Sequence, residues 1–117
     1  MVQDFKDLVI WKKSIELTII IYKLTTSFPE NEKYNLISQI RRATTSISTN
    51  IAEGAGRRTK KDFVKFLYNA YGSIKEVESL LLLSEELNYL DNNMHSTILQ
   101  SIDELSRMLF RFIEAVR

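Results

Sequence analysis

Apolar residues recur along this chain at alternating spacings of three and four, the period of a helix with one buried face. In the first stretch Leu8, Trp11, Ile15, Thr18, Ile19 and Tyr22 share a side, and Asp7 is placed to cap the start. Ser27-Phe28-Pro29 ends it, because proline cannot continue a helix and restricts the residue before it. Ile37, Ile40, Thr44, Ile47 and Ile51 mark a second stripe, and Phe63, Leu67, Ala70, Ile74, Val77 and Leu81 a third. The pattern breaks over residues 88–93, then resumes with Met94, Ile98, Ile102, Leu105, Leu109, Phe112 and Val116. No stretch alternates as a strand would, and no repeat is present. The spacing predicts an all-α domain over residues 1–117, with helices at about 7–27, 31–55, 60–88 and 92–116. Short connections favour an antiparallel up-down-up-down four-helix bundle.

The first helix carries more apolar surface than one stripe needs. Ile10, Leu17, Ile21 and Leu24 fall roughly opposite Trp11 on a wheel of about 100° per residue. Leu80-Leu81-Leu82-Leu83 similarly wraps the third helix. Gly72 stands mid-helix at a cost of about 1 kcal/mol relative to alanine, which suggests a close backbone approach on its face. These features predict self-association through helices one and three, with Ile10, Leu17, Ile21, Leu24 and Leu83 at the contact. A wide core stripe with a few exposed leucines is the alternative.

With 44% hydrophobic and 26% charged residues in 117, the chain has an ordinary globular composition. It has no cysteine, which excludes disulfides and thiolate metal sites and is compatible with a reducing cytoplasm. MVQDFKDL lacks a basic region followed by an apolar core, so no signal peptide is expected. The longest apolar run, Ile19 to Tyr22, is too short to cross a bilayer, and no membrane partner is expected.

The net charge of +1 conceals a polarised distribution. From Arg41 to Lys65 there are seven bases (Arg41, Arg42, Arg57, Arg58, Lys60, Lys61, Lys65) against two acids (Glu53, Asp62). The rest of the chain has nine bases and thirteen acids. Such asymmetry raises the case for an anionic partner, with a solvated charged loop as the plain alternative.

The stretch NIAEGAGRRTKKDF concentrates that charge. Gly54 and Gly56 stand where the second helix should stop, since glycine takes a left-handed C-terminal cap without strain. Thr59-Lys60-Lys61-Asp62 reads as a capping box opening the third helix. Lys60 and Lys61 then occupy a first turn whose dipole is already positive, at a cost of a few tenths of a kcal/mol each. An anion at the same end reverses that penalty, because free backbone N–H groups and arginine forks both suit phosphate. Arg41, Arg42, Arg57, Arg58, Lys60, Lys61 and Lys65 are therefore the candidate nucleic-acid contacts.

Arg42, Ser46, Thr49 and Glu53, with Asn50 beside them, form a small polar line along the second helix. It suits either a nucleic-acid contact or a tight helix–helix or subunit contact held by hydrogen bonds. Glu78 falls on the core side of the third helix and calls for a partner such as Arg41 or Arg42. Nothing resembles catalytic or cofactor machinery. His95 reads as solvated near the start of the fourth helix, no Glu-x-x-His pair supports a metal site, and no glycine-rich phosphate loop is present. Glu85-Glu86 and Asp103-Glu104 read as solvated faces. The residues point to a non-enzymatic protein without metal or cofactor.

FPENEK, SQIRRATTSISTNIAEGAGRRTKKDFVKFL, AYGSIKEVE and LNYL together resemble the four-helix-bundle family of 23S ribosomal-RNA intervening-sequence proteins, from about Phe5 to the end. The arginine pair, the NIAEG segment and Gly72, Ser73 and Glu76 are the most specific part. That family is encoded within insertions in bacterial large-subunit rRNA genes, and elsewhere. It is similar to the accessory variability determinants of diversity-generating retroelements, which form pentameric barrels and bind nucleic acid and a reverse transcriptase. The resemblance implies a bacterial homopentamer that binds nucleic acid, with a protein partner such as a reverse transcriptase as a further expectation. Its motif maps onto Arg41, Arg42, Asn50, Glu53, Gly54, Gly72 and Glu76, in binding or in assembly. A scaffold for proteins, with no role in nucleic-acid binding, is the competing reading.

Overall fold

The computed structural model describes residues 4–117, so the first three residues of the MVQDFKDL stretch lie outside the described residues. Four helices form, α1 (Val9–Thr25), α2 (Leu36–Ala55), α3 (Lys60–Glu86) and α4 (Asn92–Val116), with short 3-10 turns at Phe5–Asp7 and Glu30–Glu32. No strand occurs among the described residues. Each helix packs on its chain neighbours, α1 also meets α4, and the α2–α3 interface is the most extensive. The bundle measures 45 × 25 × 19 Å.

Helices two to four bury the stripes their periodicity predicts. Ile40, Ile47, Ile51, Phe63, Leu67, Ile74, Leu81, Ile102, Leu105 and Leu109 are all less than 2% exposed, with Ile113 joining them on α4. Met94, expected on the same stripe, instead stands 45% exposed.

Helix one turns the other way from expectation. Ile10, Leu17, Ile21 and Leu24 face the core at 0–4% exposure, while Ile19 and Tyr22 point outward at 51% and 41%. The first four therefore do not form an oligomer surface. The reason lies in Ser14, which completes the three-and-four spacing from Ile10 to Leu24. Its hydroxyl donates to the Trp11 carbonyl at 2.7 Å, so a polar residue sits fully buried within an apolar stripe at no cost in unpaired groups. On α3, Leu80 and Leu81 turn inward, and Leu82 and Leu83 outward at 45% and 47%.

The glycines also differ from expectation. A Cβ on Gly54 would come within 2.8 Å of Phe66 Cβ and 2.9 Å of Phe63 Cδ1, so this is where α2 and α3 approach closely. At Gly72 a Cβ would meet nothing within 4 Å, and the close approach expected there is absent. The α2 terminus does not use a left-handed glycine: Gly56 closes it with φ −85°. The left-handed residue is Asn88 (φ 62°), which ends α3 as the Tyr89 N–H bonds the Ser84 carbonyl and the Asn88 N–H bonds the Glu85 carbonyl, both at 2.9 Å. That is the paired closure asparagine can adopt with little strain. Asp7 caps nothing on α1. It lies in the preceding 3-10 turn, and Leu8 occupies the cap without a side-chain bond. Helix two begins at Leu36, later than expected, because Pro29 starts a separate 3-10 turn.

Candidate nucleic-acid interface

The α2–α3 turn is built by its cap. Thr59 is extended (φ −118°, ψ 152°), and its Oγ1 accepts the Asp62 N–H at 3.1 Å, which fixes where α3 starts. The reciprocal half of the box does not form, as no hydrogen bond joins the Asp62 carboxylate to Thr59 among the described residues. Lys60 and Lys61 thus stand in the first turn of α3, with Arg57 and Arg58 in the loop before it. Arg57, Arg58, Lys60, Lys61 and Lys65 are all exposed, and none forms an ion pair among the described residues. The Arg57 guanidinium lies 4.5 Å from the Phe66 ring centre, which orients it without using its charge on an acid.

The antiparallel path of α4 adds a cation that sequence spacing does not announce. Arg117 reaches α3 and donates from Nη1 to the Tyr68 hydroxyl at 2.9 Å. With Lys60, Lys61, Val64 and Tyr68 it lines a shallow groove at this end of the bundle. The two residues of that bond are 49 apart in the chain, beyond the reach of any local pattern.

Arg41 belongs elsewhere. Its Nε donates to Thr25 Oγ1 at 2.9 Å and Nη2 to the Tyr22 carbonyl at 3.1 Å, with the guanidinium 4.7 Å from the Tyr22 ring centre. It ties α2 to α1, about 20 Å along the helix from the basic turn at a rise of about 1.5 Å per residue. Arg42 is exposed at the same remote level.

The polar line of α2 is divided between packing and solvent. The Ser46 and Ser73 hydroxyls meet at 2.6 Å across the α2–α3 interface, and Asn50 Nδ2 donates to the Ser46 carbonyl at 2.8 Å. Thr49, Glu53, Gly72 and Glu76 are exposed. Glu78 does not pair with Arg41 or Arg42. It lies at the edge of the core stripe, 3.4 Å from Lys75 Nζ on its own helix.

At the opposite end of α3 the structure overturns the reading of His95 as solvated. The side chain is buried, with Nε2 3.0 Å from Glu85 Oε2, and Nδ1 is buried without a partner. The short connection folds the first turn of α4 back over the last turn of α3, so Glu85 is engaged as well. Nearby, the Tyr89 hydroxyl donates to Glu32 Oε2 at 2.8 Å, and that carboxylate raises the phenol above its ordinary range. Glu104 and Asp103, also expected to be simply solvated, contact Lys13 and Arg107 at 3.4 and 3.1 Å while remaining largely exposed. No three acidic or histidine side chains gather as a metal would require, and no helix is long and apolar enough to cross a membrane, among the described residues.

The site is thus an exposed basic turn between α2 and α3 of an all-α four-helix bundle. The sequence profile described as "23S rRNA-intervening sequence protein" matches residues 6–111, and the chain belongs to that family. A solved structure of a protein of unknown function from the S23 ribosomal protein family of Bacteroides thetaiotaomicron VPI-5482 is similar in fold and sequence. It superposes with a TM-score of 0.80 at 28% identity, covering 90% of this chain and 98% of its own. No curated protein matches the chain.

Proposed function

We propose that this protein is a non-catalytic, homo-oligomeric bundle of the bacterial cytoplasm that binds the phosphate backbone of RNA or DNA through Arg57, Arg58, Lys60, Lys61 and Lys65, with Arg117 beside them. One observation carries the reading: these cations gather at a helix N-terminus, where the dipole opposes them, without an acidic partner among the described residues. Membership of the rRNA intervening-sequence family supports it. Arg41, engaged with α1, is not part of the contact, and the distant Arg42 takes part only if a strand extends along α2.

Fluorescence anisotropy with labelled RNA and DNA across a salt series tests the reading. Affinity is expected to fall with a log–log slope of about −0.7 to −0.9 per phosphate contacted. Arg57→Glu with Arg58→Glu should weaken all sequences alike and flatten that slope. If the wild-type protein binds neither nucleic acid at low salt, the reading fails in favour of a protein scaffold.

The scaffold reading has its own support. Ile20 and Met94 stand 42% and 45% exposed along one groove, and Leu83 and Leu87 add apolar surface near the end of α3. This surface, rather than the buried Ile10 stripe, suits contact between copies or with a protein such as a reverse transcriptase. Light scattering is expected to give a multiple of 13.7 kDa, with the pentamer the state the family resemblance implies. A monomer at tens of micromolar would remove the oligomer from the proposal.

A further inference from the structure

A second groove lies further along α3 and α4 from the one at the basic turn, and the pair is called the α3–α4 furrow. On α3, Lys61, Val64, Tyr68, Tyr71 and Lys75 repeat at spacings of three and four, a single stripe on the outer side of the helix. Antiparallel to it, α4 brings Arg117, Arg111, Phe110 and Arg107. Lys60, Lys61, Tyr68 and Arg117 line the first part of the furrow; Tyr71, Lys75, Arg107, Phe110 and Arg111, with Asp103, line the second. Phe110 is 49% exposed and Tyr68 43%. Lys75 lies 5.5 Å from the Tyr71 ring centre.

Acids offset only part of the charge. Asp103 holds Arg107 at 3.1 Å and Glu78 holds Lys75 at 3.4 Å, and the spacing puts Glu114 on the same side of α4. Lys60, Lys61, Arg111 and Arg117 form no ion pair among the described residues. Cations and aromatic rings therefore share both walls: Tyr68 and Tyr71 lie between Lys61 and Lys75 on α3, and Phe110 lies between Arg107 and Arg111 on α4. A surface built for a duplex needs only the cations. Rings become useful when bases are unpaired, because every free base offers a face for stacking whereas a duplex covers those faces.

We propose that the α3–α4 furrow binds one single strand of RNA or DNA, with phosphates on the lysines and arginines and bases stacked on the exposed rings of Phe110 and Tyr68. This rests on the phosphate-binding reading of the basic turn and extends it by naming the form of nucleic acid and its path. From Lys61 to Lys75 the stripe runs about 21 Å at a rise of about 1.5 Å per residue.

The probes are labelled oligo(dT) and oligo(U) of about 12 nucleotides, within the usual range of a single-strand site, and a mixed-sequence duplex of equal length. Anisotropy with the full chain is expected to show tighter binding of the single strands than of the duplex. Phe110→Ala should weaken the single strands by about 5- to 100-fold and leave the duplex unchanged. Phe110→Leu should weaken them in the same way, since leucine keeps apolar bulk but offers no ring. Equal binding of duplex and single strands, or single-strand binding untouched by Phe110→Ala, overturns the furrow; the basic-turn reading then stands on the Arg57 and Arg58 variants alone. If Phe110→Ala changes the mass in light scattering and weakens both forms together, the ring serves contact between copies and the inference fails. Binding of no probe by the wild type overturns both readings.

Discussion

The two ends of α3 treat charge in opposite ways. At the C-terminal end, Glu85 meets buried His95, Tyr89 meets Glu32, and Asn88 closes the helix by taking a left-handed turn that satisfies two carbonyls. At the N-terminal end, Thr59 supplies one cap bond, while the cations around it have no acidic partner among the described residues. Charge placed for stability is paired and partly shielded. Charge left against a helix dipole does nothing for local stability, and that contrast is the ground on which we propose the N-terminal end as the binding side.

The largest effect on stability is expected at the paired end. Glu85→Ala leaves the buried His95 Nε2 without its partner and should cost about 1–3 kcal/mol. A thermal or urea melt that does not move would mean the pair contributes nothing, and the contrast between the ends would lose one side. At the other end, Thr59→Ala should cost about 1 kcal/mol, the usual loss for a removed N-cap. The combined Lys60→Glu and Lys61→Glu variant should leave stability unchanged or raise it by a few tenths of a kcal/mol. Clear destabilisation by that charge reversal would show the lysines to be structural, and the contrast would break.

The smallest effect concerns Tyr89. Its phenol is raised by the Glu32 carboxylate, so the bond's contribution is present below the ordinary tyrosine range and is lost as pH rises through the shifted value. Tyr89→Phe should therefore remove a shallow decline in melting temperature above about pH 10. A decline that persists unchanged in the variant would place its origin elsewhere.

The basic turn was open to sequence reasoning because its logic is local. Thr59 caps, two lysines follow, and four residues suffice to see that they oppose the dipole. The paired end was hidden for the opposite reason. His95 and Glu85 belong to different helices, and a lone histidine in a polar stretch carries no mark of being folded back over the preceding helix. Gly54 and Gly72 show the same limit. Both are glycines in helical stretches, yet only at Gly54 would an added Cβ come within 3 Å of other side chains, Phe63 and Phe66, because its side of α2 is pressed against α3.

The sequence by itself determined four helices, three of their buried faces and the cap at Thr59, since each depends on residues within one or two turns of each other. Only the tertiary structure decided which stripe of α1 faces inward, where Ser14 satisfies itself on its own backbone and lets Ile10, Leu17, Ile21 and Leu24 enter the core. It alone turned the Arg41 side chain from α2 onto α1, away from the turn, and set Arg117 beside Tyr68. Those outcomes depend on which helix lies alongside which, and lateral packing is settled by the fit of whole faces rather than by the order of neighbouring residues.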